Sequence, residues 1–92
     1  MLFHQLNEET KVIHENICDQ IKLAESKEKL ARNLLELMNV QGYPLEEKLD
    51  VLAEADKYKA RTEMLKDYKN DITRTRILLH QCKKYMNDEE TN

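Results

Sequence analysis

Two long stretches of the sequence repeat apolar residues at intervals of three or four, and one short segment separates them. In the first stretch this spacing is typical of one face of an amphipathic α-helix and differs from the alternation of a β-strand. We therefore predict a first helix over about residues 5–40. Its expected inner stripe consists of Phe3, Leu6, Ile13, Ile17, Ile21, Ala24, Ala31, Leu35 and Met38.

The second stretch predicts another helix, over about residues 44–86. Its expected stripe consists of Leu49, Ala53, Ala60, Met64, Tyr68, Ile72, Leu79, Cys82 and Met86. The period of this stripe is about 3.7, nearer to an eleven-residue repeat than to a heptad, which favours an almost straight seam. The polar, acidic residues 87–92 that follow are predicted to form a flexible tail.

The turn between the two helices is predicted at residues 40–44. Gly42 suits the left-handed residue just beyond a helix C-terminus, and Pro44 suits the first position of the next helix. The predicted fold class is therefore all-α, a long antiparallel helical hairpin within a single domain, residues 1–86. An alternative remains open at Asn70, which could cap a new helix and give a three-helix bundle with a break near residue 70.

A second set of apolar residues widens the apolar face of both helices near the turn. A lone pair of helices covers only one stripe on each, so these side chains predict a further neighbour. We expect either a homodimer that forms a four-helix bundle or docking on a larger protein. We expect the candidate partner-binding residues to form one apolar patch near the turn, which would mark a partner site if no dimer covers it. These residues are Leu30, Leu34, Leu37, Val40, Tyr43, Leu45 and Leu52.

Composition narrows the fold and the function further. With one glycine and one proline in 92 residues, an all-β fold and a glycine-rich phosphate loop are both excluded. The net charge is -3, yet residues 57–76 hold seven basic and three acidic residues. This segment supports nucleic-acid binding as an alternative function, although the interleaved acids favour an ordinary solvated face. The basic residues are Lys57, Lys59, Arg61, Lys66, Lys69, Arg74 and Arg76.

Reactive side chains form no recognisable constellation in the sequence. His14 and Cys18 are four residues apart, but no second pair at helical spacing completes a zinc site. We expect no catalytic residue, no metal and no cofactor. Cys18 and Cys82 lie at different distances from the predicted turn, too far apart for a disulfide, and Cys82 is expected in the core.

The remaining signals concern location and role. The N-terminus lacks the basic and apolar regions of a signal peptide, and no apolar run is long enough to span a membrane. We therefore expect a cytoplasmic protein. Because the sequence contains no recognisable catalytic constellation, we also expect that the protein is not an enzyme. The hypothesis from sequence is a small helical adaptor or inhibitor that binds and regulates a larger protein. In architecture alone, it is similar to small secretion partners and phage-encoded inhibitors.

Overall fold

A computed structural model of the chain describes the backbone of residues 2–91 and the side chains of residues 2–83. It contains two helices, α1 (Leu2–Val40) and α2 (Leu45–Thr91), joined by a short turn. The predicted all-helical hairpin is confirmed. Helix α2 continues through Asn70 and Asp71, so the alternative with three helices is wrong. The predicted flexible tail, residues 87–92, lies outside the residues whose side chains are described and stays a prediction.

The chain divides into two compact units, and each unit contains one segment of α1 and one segment of α2. The hairpin unit is Gln20–Lys66 and includes the turn. The terminal unit combines Met1–Asp19 with Asp67–Asn92. Neither helix is long and apolar enough to cross a bilayer within the described residues.

The turn of the hairpin unit ends α1 with a Schellman motif. The Tyr43 amide donates to the Met38 carbonyl at 3.0 Å, and the Gly42 amide donates to the Asn39 carbonyl at 3.3 Å. Gly42 has a φ of 73°, which is the left-handed conformation predicted for it. Pro44 lies one residue before the first helical residue, and its carbonyl accepts the first bond of α2 from the Lys48 amide.

The seam of the hairpin unit combines large and small apolar side chains with one threonine. The buried residues are Ile21, Ala24, Met38, Ala55, Thr62 and Leu65. Thr62 is satisfied inside the seam because its hydroxyl donates to the Tyr58 carbonyl at 2.9 Å. On both helices the buried and half-buried positions alternate at intervals of three and four, for example 48, 51, 55, 58, 62 and 65 on α2. This is heptad spacing, and the predicted eleven-residue period is wrong here.

The structure corrects the predicted stripe of α2 in this unit. Leu49, Ala53, Ala60 and Met64 are exposed, whereas Ala55 and Leu65 are buried in their place. The predicted stripe had a period of about 3.7, so it coincides with the heptad-spaced seam at Ile72 and Leu79 and departs from it toward the start of α2. Leu45, Leu49, Leu52 and Met64 of α2 are therefore left on the outside of the pair.

The terminal unit has a more polar seam. Phe3 is buried and meets the His80 ring edge to face, with ring centroids 5.4 Å apart. Arg76 Nη2 donates to Asn7 Oδ1 at 3.2 Å. Ile17, Ile72 and Leu79 are half-buried as predicted. The predicted stripe residues Ile13, Tyr68 and Cys82 are exposed, which corrects the prediction, while Met86 lies outside the described side chains.

Candidate interaction surfaces

The first candidate surface is a row of leucines on α1 in the hairpin unit. We call Leu23, Leu30, Leu34 and Leu37 the α1 leucine strip. Because intervals of three, four and seven return to the same side of a helix, the four side chains share one face. Their exposed fractions lie between 47% and 69%. The strip is therefore an apolar face that the α1–α2 pair leaves in contact with solvent.

The second candidate surface lies on α2. Leu45, Leu49 and Leu52 form the α2 leucine strip, with exposed fractions between 37% and 68%. Val40 and Tyr43 lie at the turn, and Val40 is 85% exposed. All seven residues predicted to bind a partner are thus exposed, and Leu23 and Leu49 extend the set that the sequence indicated.

Charged residues define the two sides of the hairpin unit. On the first side, Lys27 of α1 lines a groove with Lys57 and Arg61 of α2. On the second side, Arg32 Nη2 of α1 lies 3.5 Å from Asp56 Oδ1 of α2. Lys27 immediately precedes a seam position of α1 and Arg32 immediately follows one, which places them on opposite flanks of the seam.

The two leucine strips fall on these opposite sides. Leu23 lines the same groove as Lys27, and Leu34 follows Lys27 by two helical turns, so the α1 strip is on the first side. Leu49 precedes Asp56 by two turns and Leu52 precedes it by one, so the α2 strip is on the second side. The structure therefore presents two separate apolar surfaces instead of the single patch that the sequence indicated.

A cluster of cations surrounds Tyr58 on the first side. The Lys27 and Lys57 ammonium nitrogens lie 5.4 and 5.5 Å from the Tyr58 ring centroid. These distances are within the range of cation–π attraction. Arg61 lines the same groove, which has a volume of about 140 Å³. Glu54 is the acidic neighbour, 3.9 Å from the Lys57 ammonium, so the groove carries a local excess of positive charge.

The seven basic residues predicted for nucleic-acid binding are not brought onto one face of the hairpin unit. Lys57 and Arg61 line the groove, whereas Lys66 lies 3.6 Å from Glu25 on the second side. Lys59 shares the Lys66 side, because seven residues separate the two. Lys27 on α1 also lines the groove. It was not predicted from the sequence, because no spacing pattern along the chain indicates which residues of α1 lie next to α2. The other members, Lys69, Arg74 and Arg76, belong to the terminal unit.

Arg32 ties α1 to α2 on the second side. Its Nε donates to Glu28 Oε2 at 2.8 Å, and its Nη2 faces Asp56. The hydrogen bond to Glu28, followed by the nearby carboxylate charges, raises the pKa of Arg32 above its ordinary value. The raised pKa keeps the Arg32 guanidinium in its charged form. Because solvent screens such exposed pairs, they contribute little to stability and serve mainly to fix side-chain positions.

The terminal unit holds the thiols and histidines. Cys18 Sγ lies 3.8 Å from His14 Nδ1, and both cysteines are free. Cys82 is exposed, so its predicted place in the core is wrong. His14 and His80 line a wide groove of about 580 Å³ together with Arg76 and Ile77. Among the described residues, no three histidine, cysteine or acidic side chains converge on a point where a metal could bind.

Comparisons with protein-family models, with curated proteins and with solved structures yield no match to this chain. The exposed surfaces of the hairpin unit are therefore the observations that bear on its function.

Proposed function

We propose that the chain is a non-enzymatic protein–protein interaction module, a small helical adaptor or inhibitor that binds and regulates a larger protein and also self-associates. The observation that carries the proposal is the exposure of seven leucines on the hairpin unit. These leucines are Leu23, Leu30, Leu34, Leu37, Leu45, Leu49 and Leu52. Scattered exposed leucines are ordinary, but rows of them at helical spacing are typical of surfaces that pack on another helix.

The composition of the seam supports the same proposal. Two alanines and one threonine occupy three of the six buried positions of the hairpin unit, beside Ile21, Met38 and Leu65, while its leucines other than Leu35 and Leu65 lie outside the pair. The three small residues each bury little apolar surface, and burial is the main source of stability for a helix pair. Covering the leucine strips would add the surface that the pair does not bury by itself.

The smallest assembly that we propose is a homodimer. A symmetric four-helix bundle would require both helices of a hairpin to present their second apolar face on the same side. The α1 and α2 leucine strips lie on opposite sides, so a bundle formed through both strips is not the geometry that we favour. The chain instead offers one side to a first partner and the other side to a second, which suits an adaptor.

Leu34→Asp tests the proposal, with Asn33→Asp as the matched control. Both changes add one carboxylate to an exposed position of α1, but only the first removes an apolar side chain from the strip. The expected result is loss of self-association, and of any captured larger protein, in Leu34→Asp alone, measured by light scattering and affinity capture. Equal behaviour of the two variants would contradict a role for the strip.

Nucleic-acid binding is a second candidate because the groove around Tyr58 combines three cations with an aromatic ring. Phosphate contacts by such cations produce an affinity that falls steeply with salt. A gel-shift titration at low salt would compare the unaltered protein with the double variant Lys57→Glu and Arg61→Glu. A shift that disappears in the variant would support this candidate, and the lack of any shift at tens of micromolar protein would exclude it.

A further inference from the structure

We infer that self-association is head to tail, with the α1 leucine strip of one copy packed on the α2 leucine strip of a second copy. This inference deepens the proposed function, because it names a partner for the same surfaces. Both strips belong to the hairpin unit and both are exposed. They lie on opposite sides of the unit, so a contact between the unlike strips of two copies is a head-to-tail contact.

The spacing of the leucines supports this pairing. When α1 of one copy runs antiparallel to α2 of another, a single register places Leu37 beside Leu45. The same register places Leu34 beside Leu49, because the intervals are three on one helix and four on the other. One turn further, Leu30 meets Leu52. Three successive leucine pairs at helical spacing are the pattern by which antiparallel helices pack.

The charges next to the leucines continue the same register. The position after the Leu30–Leu52 pair brings Lys27 of one copy opposite Asp56 of the other. The Asp56 side chain is 64% exposed, so it can accept an ammonium group from a second copy while it faces Arg32. Lys27 belongs to the cation cluster of the first side, which repels a second cation cluster. Charge therefore disfavours pairing of the first side with itself.

The proposed contact is heterologous, so each copy of a pair engages only one of its two leucine strips. In a pair of molecules, one α1 leucine strip and one α2 leucine strip stay free at the two ends. Further copies can add there, and the assembled mass is expected to rise with concentration beyond twice 11.0 kDa. A symmetric pair would stop at twice this mass.

A mixing experiment tests the inference with two variants of the full chain. Leu34→Asp disables the α1 leucine strip, and Leu49→Asp disables the α2 leucine strip. Both positions are about half exposed, so each variant is expected to keep its helical circular dichroism. Each variant alone should sediment as a monomer of 11.0 kDa, with self-association weakened at least tenfold.

An equimolar mixture of the two variants should form a heterodimer, because each variant still carries one intact strip that complements the intact strip of the other. The assembly in this mixture should also contain no more than two copies, whereas the unaltered protein should add further copies. If the mixture stays monomeric, or if Leu49→Asp alone associates as strongly as the unaltered protein, the head-to-tail inference is overturned. The control Asn33→Asp should associate like the unaltered protein.

The charge pair gives an independent test. Lys27→Glu and Asp56→Lys should each weaken self-association, and the double variant that carries both should recover it, because the opposite charges are then exchanged across the interface. A double variant weaker than either single variant would count against the register.

The outcomes also separate this inference from the proposed function. If the unaltered protein is a monomer up to millimolar concentration, head-to-tail pairing fails. The broader proposal would then still be tested by affinity capture of a larger protein with Leu34→Asp and Asn33→Asp as baits. If the two baits capture the same proteins to the same extent, the interaction proposal fails as well.

Discussion

The change of Gly42 to alanine gives the sharpest test of how the turn is stabilised. Gly42 lies at the C′ position of the Schellman motif with a φ of 73°. A left-handed conformation costs a residue with a Cβ atom about 1–2 kcal/mol. The new methyl group meets no atom within 4 Å, so no steric clash adds to this cost.

Loss of glycine also reduces the entropy of the unfolded chain, which offsets about 0.4–1 kcal/mol of the strain. The net expectation is that Gly42→Ala lowers the free energy of unfolding by about 1 kcal/mol, since strain exceeds the entropic offset. For a domain of this size the melting temperature should fall by about 4–8 °C.

Urea denaturation followed by circular dichroism at low protein concentration measures the effect without a contribution from self-association. The dependence of the free energy on urea should be unchanged, because the same surface unfolds. Gly42→Asn should lose less stability than Gly42→Ala, since asparagine tolerates the left-handed region better. The neighbouring change Gln41→Ala should alter the free energy of unfolding very little. A Gly42→Ala protein as stable as the unaltered one would refute this account of the turn.

Two further predictions concern burial. Leu65→Ala should lower the free energy of unfolding by about 2 kcal/mol or more because Leu65 is buried in the seam, whereas Leu30→Ala should change the stability of the monomer by less than about 0.5 kcal/mol. Equal losses in urea denaturation would contradict the assignment of inner and outer faces. A thiol reagent should modify exposed Cys82 faster than half-buried Cys18, and Cys82→Ser should remove the fast phase of the reaction. Modification of both thiols in a single kinetic phase would contradict this difference in exposure.

The turn and the inner face of α1 could be predicted from the sequence because their signals are local. Gly42 is the one glycine of the chain, and it occupies the left-handed position that the sequence predicted. In the hairpin unit, Ile21, Ala24 and Met38 are buried as the spacing indicated. In the terminal unit Ile13 is exposed, because a position one residue off the heptad turns away from the partner helix.

The inner face of α2 could not be predicted, because this helix has apolar residues on more than one side. Periodicity favoured the face that contains Leu49 and Met64, yet Ala55, Thr62 and Leu65 are buried. The predicted stripe followed a period of about 3.7, whereas the seam keeps the heptad spacing, so the two diverge toward the start of α2. The same ambiguity explains why the candidate partner-binding residues were predicted as one patch and are distributed over two sides.

The polar contacts of the terminal unit could not be predicted from the sequence either. The Asn7 side chain, inside α1, accepts a hydrogen bond from Arg76 of α2. The two residues are separated by most of the chain, so no local pattern could pair them. The Lys27 contact with Tyr58 is of the same kind, because it depends on the register between the helices.

The most direct test of the account is the mass of the unaltered protein as a function of concentration, measured by sedimentation equilibrium from about 1 µM to 1 mM, the range expected for a modest apolar interface. We expect the mass to rise from 11.0 kDa toward and beyond twice this value, while Leu34→Asp stays at 11.0 kDa throughout. A constant mass of 11.0 kDa for the unaltered protein over the whole range would contradict the claim that the leucine strips bind a second copy.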